Sequence, residues 1–302
     1  MKTKSLVTGG AGFIGSNLVD KLLTMGHEVI VIDNQFSEAH DEFYWNFHGK
    51  NYRMDIRDYS LTRKLYDGVD YVFHLAAEAR IQPAIENPIE AVSINSVGTC
   101  TVLQCAREAG VKRVMYSSTS SGYGMNEPPN VETQDDDCLN PYSVSKVNGE
   151  KLCKMYTSLY GLETVCFRYF NVYGNRQPLK GQYAPVIGIF LRQLAAGEPL
   201  TIVGDGEQRR DFTHVDDVVN ANIKAALANI DDKCFGQVYN VGTGLNHSIN
   251  EIAAMISDNV IHISPRPGEA KISLANNTKL RETFDWEPTV KLETYLVGML
   301  NG

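Results

Sequence analysis

The sequence contains few cysteines, and their arrangement argues against a fold stabilised by zinc or by disulfide bonds. The six cysteines among 302 residues are scattered, and no two of them form a Cys-x-x-Cys pair. This spacing is not that of a zinc site or a disulfide framework, so we expect reduced thiols that mostly pack in the interior. The histidines, among them His74 and His214, also lack metal-ligand spacing, and no metal is predicted.

Two further absences concern partners. The net charge is −8 and no block of five or more basic residues occurs, so a nucleic-acid partner is not expected. No apolar run approaches the roughly 18 residues that cross a bilayer, and the stretch before Leu6 is too short for a signal peptide. We therefore expect a soluble, cytoplasmic protein with neither a nucleic-acid nor a membrane partner.

The sequence does contain the material for a large α/β core. Hydrophobic residues make up 43% of the chain, which is enough for one large domain or two unequal ones. Short β-branched runs alternate with amphipathic stretches, a pattern that favours a parallel, doubly wound sheet with helices on both faces. The predicted strands are 6–8, 28–33, 52–55, 71–75, 113–117 and 164–169, and the predicted helices are 14–25, 89–109 and 142–160.

Beyond Asn171 the composition changes, because glycine, proline and arginine become denser and the strand signals shorten. Residues 212–228 followed by 238–242 are typical of one more helix and buried strand that return to the sheet. A smaller α/β domain is expected over the carboxyl edge of the sheet, where open α/β sheets bind ligands. The predicted division is a first domain of residues 1–171 with 212–243, and a second domain of residues 172–211 with 244–302.

A glycine-rich turn joins the first predicted strand to the first predicted helix. Gly9, Gly12 and Gly15 are spaced one residue wider than the Gly-x-Gly-x-x-Gly fingerprint of dinucleotide sites. Glycine there allows a tight turn and close approach of the backbone to a pyrophosphate, which the following helix N-terminus binds. Asp33 ends the second strand, where a carboxylate accepts hydrogen bonds from the adenosine ribose and repels a 2′-phosphate. The pattern therefore predicts a Rossmann-type site for NAD rather than NADP.

Tyr142 and Lys146 lie four residues apart on a predicted helix, so both side chains emerge on one face. This spacing alone does not distinguish a catalytic pair from a contact on a helix surface. The pair follows Pro141 at a predicted helix start, and an earlier strand ends in the hydroxyl-rich run 117–121. Its position therefore favours a catalytic role.

With these features the sequence resembles the extended short-chain dehydrogenase/reductase family, and within it the nucleotide-sugar epimerases. The resemblance covers nearly the whole chain. Besides the glycine turn, the hydroxyl run and the Tyr142-x-x-x-Lys146 pair, it rests on the segments 55–58, 74–77, 168–174, 210–217 and 266–269.

The resemblance implies which residues contact each ligand. It assigns catalysis to Thr119, Tyr142 and Lys146. For NAD it implies contacts by Gly9, Gly12, Phe13, Ile14, Gly15, Asp33, Asn34, Asp55, Ile56, Leu75, Ala76, Ala77, Asn95, Ser117, Tyr142, Lys146 and Tyr169. For a UDP-sugar substrate it implies contacts by Thr119, Ser120, Asn171, Arg210, Arg266, Glu269 and Ser273, with the two arginines on the diphosphate.

The chemistry explains why the family uses these residue types. A free phenol has a pKa of about 10 and is a poor base at neutral pH. The Lys146 ammonium and the positive nicotinamide are expected to lower the pKa of Tyr142, which then removes the proton of the sugar 4-hydroxyl. Thr119 would hydrogen-bond the 4-oxygen. The sugar is transiently oxidised at C4, turned over and reduced on its other face, and NAD is regenerated.

The two residues after Thr119 bear on which reaction follows. Relatives that eliminate water carry an Asp-Glu or a Ser-Glu pair there, and sugar-nucleotide decarboxylases carry a Glu. Dehydration needs these groups as an additional acid and base. Ser120 and Ser121 supply hydroxyls only, so we predict 4-epimerisation. A carboxylate supplied from elsewhere is one alternative, and a catalytically silent NAD-binding scaffold or sensor is another.

The resemblance also implies a substrate and an assembly. In epimerases restricted to glucose and galactose a Tyr closes a gate at the place of Ser273, whereas a small residue leaves room for an N-acetyl group. We therefore expect UDP-N-acetylglucosamine and UDP-N-acetylgalactosamine as substrates, together with UDP-glucose and UDP-galactose, and UDP-glucuronate is the alternative. Family members pair the helices at 89–109 and 142–160 into a four-helix bundle, which predicts a homodimer.

Overall fold

The computed structural model describes residues 2–37, 40, 42–179, 184–265 and 270–301. Its strands are β1 (Lys4–Thr8), β2 (Glu28–Asp33), β3 (Lys50–Arg53), β4 (Tyr71–His74), β5 (Arg113–Thr119), β6 (Glu163–Tyr169), β7 (Val172–Tyr173), β8 (Leu200–Val203), β9 (Arg209–Asp211), β10 (Thr213–His214), β11 (Gln237–Val241), β12 (Asn246–Ser248) and β13 (Val260–Ile263). Its α-helices are α1 (Phe13–Thr24), α2 (Tyr59–Thr62), α3 (Ile81–Glu86), α4 (Pro88–Val92), α5 (Thr99–Glu108), α6 (Pro141–Tyr160), α7 (Val186–Ala195), α8 (Val215–Leu227), α9 (Ile249–Ala254), α10 (Thr278–Phe284) and α11 (Leu292–Asn301).

Seven strands form one parallel sheet in the spatial order β11, β6, β5, β4, β1, β2, β3. The sheet is covered on both faces because successive residues of its central strands are apolar and point to opposite sides. Leu6 packs into the core beneath α5 and α6, whereas its neighbour Val7 packs into the core beneath α1 and α8. This arrangement confirms the predicted doubly wound α/β fold.

The seven strands predicted from the sequence are all present, including the late one. β11 pairs in parallel with β6, so the segment after residue 212 does return to the sheet. The predicted helix 89–109 is instead interrupted. It consists of α4, a π-helical turn at Ser93–Gly98, and α5. The turn gives one residue of the helix, Asn95, a position from which it bonds to the neighbouring loop at Glu78.

Three two-stranded sheets, β7 with β10, β9 with β12 and β8 with β13, make up most of the remaining strand structure of the described chain. They surround a third core that includes Ile187, Phe190, Leu200 and Ile252. The boundaries proposed for two domains stay a prediction. In the described ranges no helix is both long and apolar enough to span a membrane.

Candidate active site

A cavity of about 580 Å³ opens where the strands of the parallel sheet end. It brings together residues that follow β1, β2, β4, β5 and β6, which the topology collects at one edge. Of the described candidate residues, all line the cavity except Thr119 and Asn95. Arg266 and Glu269 lie outside the described residues. The residue roles assigned from the sequence stay predictions, but the chain places most of these residues around one cavity.

The glycine turn is shaped to accept a pyrophosphate. Gly9 has a positive φ of 69°, and a Cβ atom there would lie 2.6 Å from the backbone nitrogen of Ala76. A Cβ atom on Gly15 would collide with the backbone of Gly9, so glycine lets α1 start directly against the turn. No side chain caps the N-terminus of α1 and its first turn has no acidic residue. Its free amide donors and positive dipole end therefore suit a phosphate.

Asp33 lies at the end of β2 with its carboxylate partly used by the turn. It accepts hydrogen bonds from the backbone N–H groups of Ala11, at 3.1 Å, and Gln35, at 2.8 Å. Burial raises the pKa of Asp33, and these two hydrogen bonds act in the opposite direction. A carboxylate accepts more than two hydrogen bonds, so lone pairs remain for the hydroxyls of a ribose.

Asp55 lies beside the same end of the cavity and is held by Arg57. The two side chains form two hydrogen bonds, of 3.0 and 2.7 Å, and Asn34 donates a third to Asp55 at 3.3 Å. The hydrogen bonds from Arg57 hold the pKa of Asp55 below its usual range. The glycine turn, Asp33 and Asp55 together therefore fit the phosphates and adenosine of a dinucleotide.

Helix α6 carries the tyrosine and lysine. It begins after Asn140, whose side chain accepts from the Ser143 N–H in a capping box, and Pro141 occupies its first turn. Lys146 is buried, and its Nζ lies 4.4 Å from the centroid of the Tyr116 ring. Burial lowers the pKa of Lys146 to about 8. The ammonium is thus held by an aromatic face rather than by a carboxylate.

The protein's own groups raise the pKa of Tyr142, whereas the pKa expected from the sequence also includes the charge of the nicotinamide. Burial raises the pKa of this phenol, the hydrogen bond with Thr119 opposes the rise, and the charge of Glu78 adds to it. Lys146 is not among the groups that offset this rise. The protein's own groups therefore favour the protonated phenol.

Thr119 lies behind the cavity wall, next to Tyr142. It ends β5, is buried, and its Oγ1 accepts from the Ser121 N–H at 3.1 Å at the start of a 3-10 turn. This turn presents Ser120 and Ser121 to the cavity. Ser120, Ser121 and Tyr142 therefore line the same cavity, and Thr119 forms a hydrogen bond with the phenol.

The described residues predicted to hold the substrate also line the cavity. Asn171 donates to Ser273 Oγ at 3.3 Å and to the Asp211 carbonyl at 3.0 Å. Asp211 is buried, and its carboxylate accepts the N–H groups of Thr243, Gly244 and Ala275, which ties three segments together. Asn171, Arg210 and Ser273 consequently line the same cavity although they are distant in sequence.

The sequence interpretation missed a charged pair in the loop after β4. Glu78 is buried, Arg80 lines the cavity, and their side chains face each other at 3.7 Å. The available signal was their position directly after the Leu75-Ala76-Ala77 strand end. Asn95 bonds to the backbone of this loop, and its predicted contact with NAD stays a prediction. Among the described residues no group of three or more His, Cys, Asp or Glu side chains could hold a metal ion.

The family model described as NAD dependent epimerase/dehydratase family matches residues 5–242. The chain belongs to this family. It is accordingly an enzyme, and its cofactor is NAD, which the glycine turn and Asp33 fit.

Two curated relatives of this epimerase/dehydratase family differ in reaction. One is a UDP-glucose 4-epimerase of Mycolicibacterium smegmatis, 37% identical over 96% of this chain and 95% of its own. The other is a UDP-N-acetyl-alpha-D-glucosaminuronate decarboxylase of Bacillus cytotoxicus, 36% identical over 97% of this chain and 95% of its own.

Solved structures of the family differ in the sugar they carry. A UDP-glucose 4-epimerase of Thermotoga maritima with UDP-glucose has a TM-score of 0.92 at 34% identity, covering 99% of this chain and 98% of its own. A UDP-N-acetylglucosamine 4-epimerase of Methanobrevibacter ruminantium, bound to UDP-N-acetylmuramic acid, has a TM-score of 0.91 at 32% identity. The match covers 100% of this chain and 98% of that one. A UDP-glucuronic acid 4-epimerase of Bacillus cereus, bound to UDP-glucuronic acid and NAD, has a TM-score of 0.90 at 30% identity. The match covers 99% of this chain and 98% of that one. Similarity alone therefore leaves the sugar open.

Proposed function

We propose that this enzyme is a 4-epimerase of UDP-hexoses. The observation that carries the proposal is the group formed by Tyr142, Thr119 and the serines 120 and 121 at the sheet edge, close to a dinucleotide cradle. These groups suffice for a reversible oxidation at C4, which needs one proton acceptor and hydrogen bonds to one oxygen. NAD supplies the hydride acceptor and donor.

The roles of the side chains follow from their chemistry. Tyr142 takes the proton of the 4-hydroxyl and later returns it, and Thr119 holds the phenol and the 4-oxygen by hydrogen bonds. The pKa of Tyr142, raised by burial, has to fall for this step. The charge of Lys146 and of oxidised NAD would stabilise the phenolate when both ligands are bound.

Epimerisation is favoured over elimination by the charges of the cavity wall. The two residues after Thr119 are serines, which cannot act as the extra acid and base of a dehydratase. The carboxylates that line the cavity in the described ranges are Asp33, the last residue of β2, and Asp55, which follows β3. Glu78 is buried and its carboxylate lies toward Arg80.

The substrate proposal depends on Ser273. Its small side chain lies against Asn171 on the wall that would face the sugar, and it leaves room for an N-acetyl group. UDP-N-acetylglucosamine and UDP-N-acetylgalactosamine are therefore the proposed pair, with UDP-glucose and UDP-galactose also accepted. The diphosphate would be bound by Asn171, Arg210 and Arg266, and the nucleotide ribose by Glu269.

The test is proton NMR of the products after incubation with UDP-glucose, UDP-N-acetylglucosamine and UDP-glucuronate. The Ser273→Tyr variant should stop turnover of the N-acetylated pair and spare UDP-galactose, because a ring in that place collides with the C2 substituent. Ser60→Tyr, at an exposed position outside the cavity, serves as the control. Equal loss of both activities in Ser273→Tyr, or loss of neither, would show that Ser273 is not the gate.

A further inference from the structure

Helix α6 carries a buried carboxylate that the proposed mechanism does not use. Glu150 lies eight residues after Tyr142 and four after Lys146. Because an α-helix has 3.6 residues per turn, these three side chains emerge along one side of α6. The Glu150 side chain is buried, and a buried charge is costly unless it is paired and hydrogen-bonded. The partners of Glu150 therefore explain why the helix keeps a charge in this place.

Both oxygens of the Glu150 carboxylate are held by the two strands against which α6 packs. Ser118, on β5, donates to Oε1. Arg168, on β6, donates from Nε to the same oxygen at 2.9 Å and from Nη2 to Oε2 at 2.7 Å, so the ion pair is bidentate. Ser118 and Arg168 are buried as well. One carboxylate therefore fastens α6 to β5 and to β6.

The contact on β5 lies next to the candidate catalytic residues. Ser118 directly precedes Thr119, whose side chain forms a hydrogen bond with Tyr142. Two hydrogen bonds from neighbouring residues of β5 thus reach the same helix, one at Glu150 and one at Tyr142. A rotation or a slide of α6 that lengthened the first bond would also displace the second.

The ionic character of this contact favours a role in orientation over a role in stability. A buried ion pair adds little net stability, because the cost of desolvating the charges offsets their attraction. Three hydrogen bonds to one carboxylate, in contrast, require a defined direction and distance for each bond. Asp136 accepts a further hydrogen bond from Arg168 Nη2 at 2.7 Å, which holds the guanidinium in its place.

We propose that Glu150 is a positioning residue, which sets the rotation of α6 so that the Tyr142 hydroxyl stays at the Thr119 hydroxyl; this rests on the proposed oxidation at C4. Glu150 is absent from the described lining of the cavity, so it acts through the helix and not on a ligand. Lys146 lies between Tyr142 and Glu150 on α6, and the same contact therefore sets its position too.

The test is steady-state kinetics of the NAD-bound enzyme with UDP-glucose and UDP-N-acetylglucosamine. Glu150→Leu removes all three hydrogen bonds, so kcat should fall about tenfold or more, the effect of displacing a reacting group by less than about 1 Å. KM should stay within about twofold, because none of the residues predicted to bind the sugar nucleotide lies on α6. Glu150→Gln keeps an oxygen acceptor for Ser118 and should recover part of kcat. Lys151→Met, which removes an exposed lysine of α6 that pairs with Asp136, should leave kcat unchanged.

Ser118→Ala removes only the bond to β5 and keeps the pair with Arg168, so it serves even if Glu150→Leu does not fold. Alone it should lower kcat less than Glu150→Leu does. Added to Glu150→Leu it should have little further effect, since both changes remove the same bond. Wild-type kcat in either folded variant overturns the proposal. So does a rise in KM that matches the fall in kcat, or a double variant in which the two effects multiply.

If the wild type epimerises no UDP-sugar, the proposed function is wrong, and crystal structures then decide the role of Glu150. The distance between Tyr142 Oη and Thr119 Oγ1 must be longer in Ser118→Ala or in Glu150→Leu than in the wild type. An unchanged distance in both variants rejects the role of Glu150.

Discussion

Asp33 is the residue on which the choice of dinucleotide depends. Its buried carboxylate is already fixed by two backbone N–H groups, so a 2′-phosphate would meet a negative charge that cannot turn away. We expect Asp33→Ala to weaken NAD binding about tenfold or more, because a charged acceptor is lost. Calorimetric titration measures this, with the exposed Asp258→Ala as the control. Unchanged affinity, or NADP released from the denatured wild-type protein, would contradict the assignment.

Removal of the Tyr142 hydroxyl should lower kcat without changing the fold. Tyr142→Phe deletes one hydroxyl, so the fold should persist while kcat drops by about 10²-fold or more, the scale of a lost general base. Thr119→Ala should lower kcat less, since it removes a hydrogen bond and no proton acceptor. Steady-state kinetics beside circular dichroism measure both effects, and Tyr59→Phe, whose hydroxyl bonds Glu108 outside the cavity, is the control. Near-full activity of Tyr142→Phe would reject the mechanism.

At this scale the sequence predicted residues whose role depends on type and spacing, such as Asp33 at a strand end. It did not predict the contacts that arise from chain segments meeting in space. Asn95 bonds to a loop 17 residues earlier, and Asn171 meets Ser273 across 102 residues. Nor did it predict that burial raises the pKa of Tyr142, because burial can be read only from the packed structure.

Among the elements, α6 depends on one small residue for its distance from the sheet. A Cβ atom on Gly149 would collide with the Tyr116 hydroxyl, which donates to the Lys146 carbonyl at 3.0 Å. Gly149→Ala should therefore lower the free energy of unfolding by about 1–3 kcal/mol, the usual cost of overpacking. It should also lower kcat, because α6 carries Tyr142. Urea unfolding and steady-state kinetics measure the two effects.

Two further variants isolate the cause. Gly298→Ala, in α11 with open space around its Cβ position, should be neutral or stabilising because alanine favours helix. Tyr116→Leu added to Gly149→Ala should restore part of the lost stability, since the hydroxyl and the ring atoms that collide are removed. A fully stable Gly149→Ala protein, or a double variant no better than the single one, would be incompatible with this explanation.

Element prediction succeeded where the pattern is local and periodic. The buried strands β1, β2, β4, β5 and β6 are short β-branched or aromatic runs, and their bounds in the structure differ from the predicted ones by at most two residues. The two-residue strands β7 and β10 have no such pattern, because they exist through their pairing with each other. The π-helical turn in the predicted helix 89–109 likewise follows from contacts with a distant loop.

For the molecule as a whole, the surface around α4 and α6 supports the predicted homodimer. Ile89 is 83% exposed and Leu159 64% exposed, and Val97 and Val144 are more than half exposed. A two-fold pairing of these helices would remove this apolar surface from water. Multi-angle light scattering at micromolar concentration should give about twice the monomer mass of 33.5 kDa. Ile89→Lys combined with Leu159→Lys should give the monomer, and a monomeric wild type would contradict the proposal.

The return of the chain to the sheet through β11 has a consequence for how the molecule can be divided. Without the later residues, β6 would become an open edge strand whose unpaired backbone groups and apolar Val165 and Phe167 invite other chains. Residues 1–171 include all the residues predicted to contact NAD, yet such a fragment is a template for aggregation. The sheet that carries the cofactor residues is built from two separate stretches of the chain. A cut after residue 171 therefore does not give two independently folding modules.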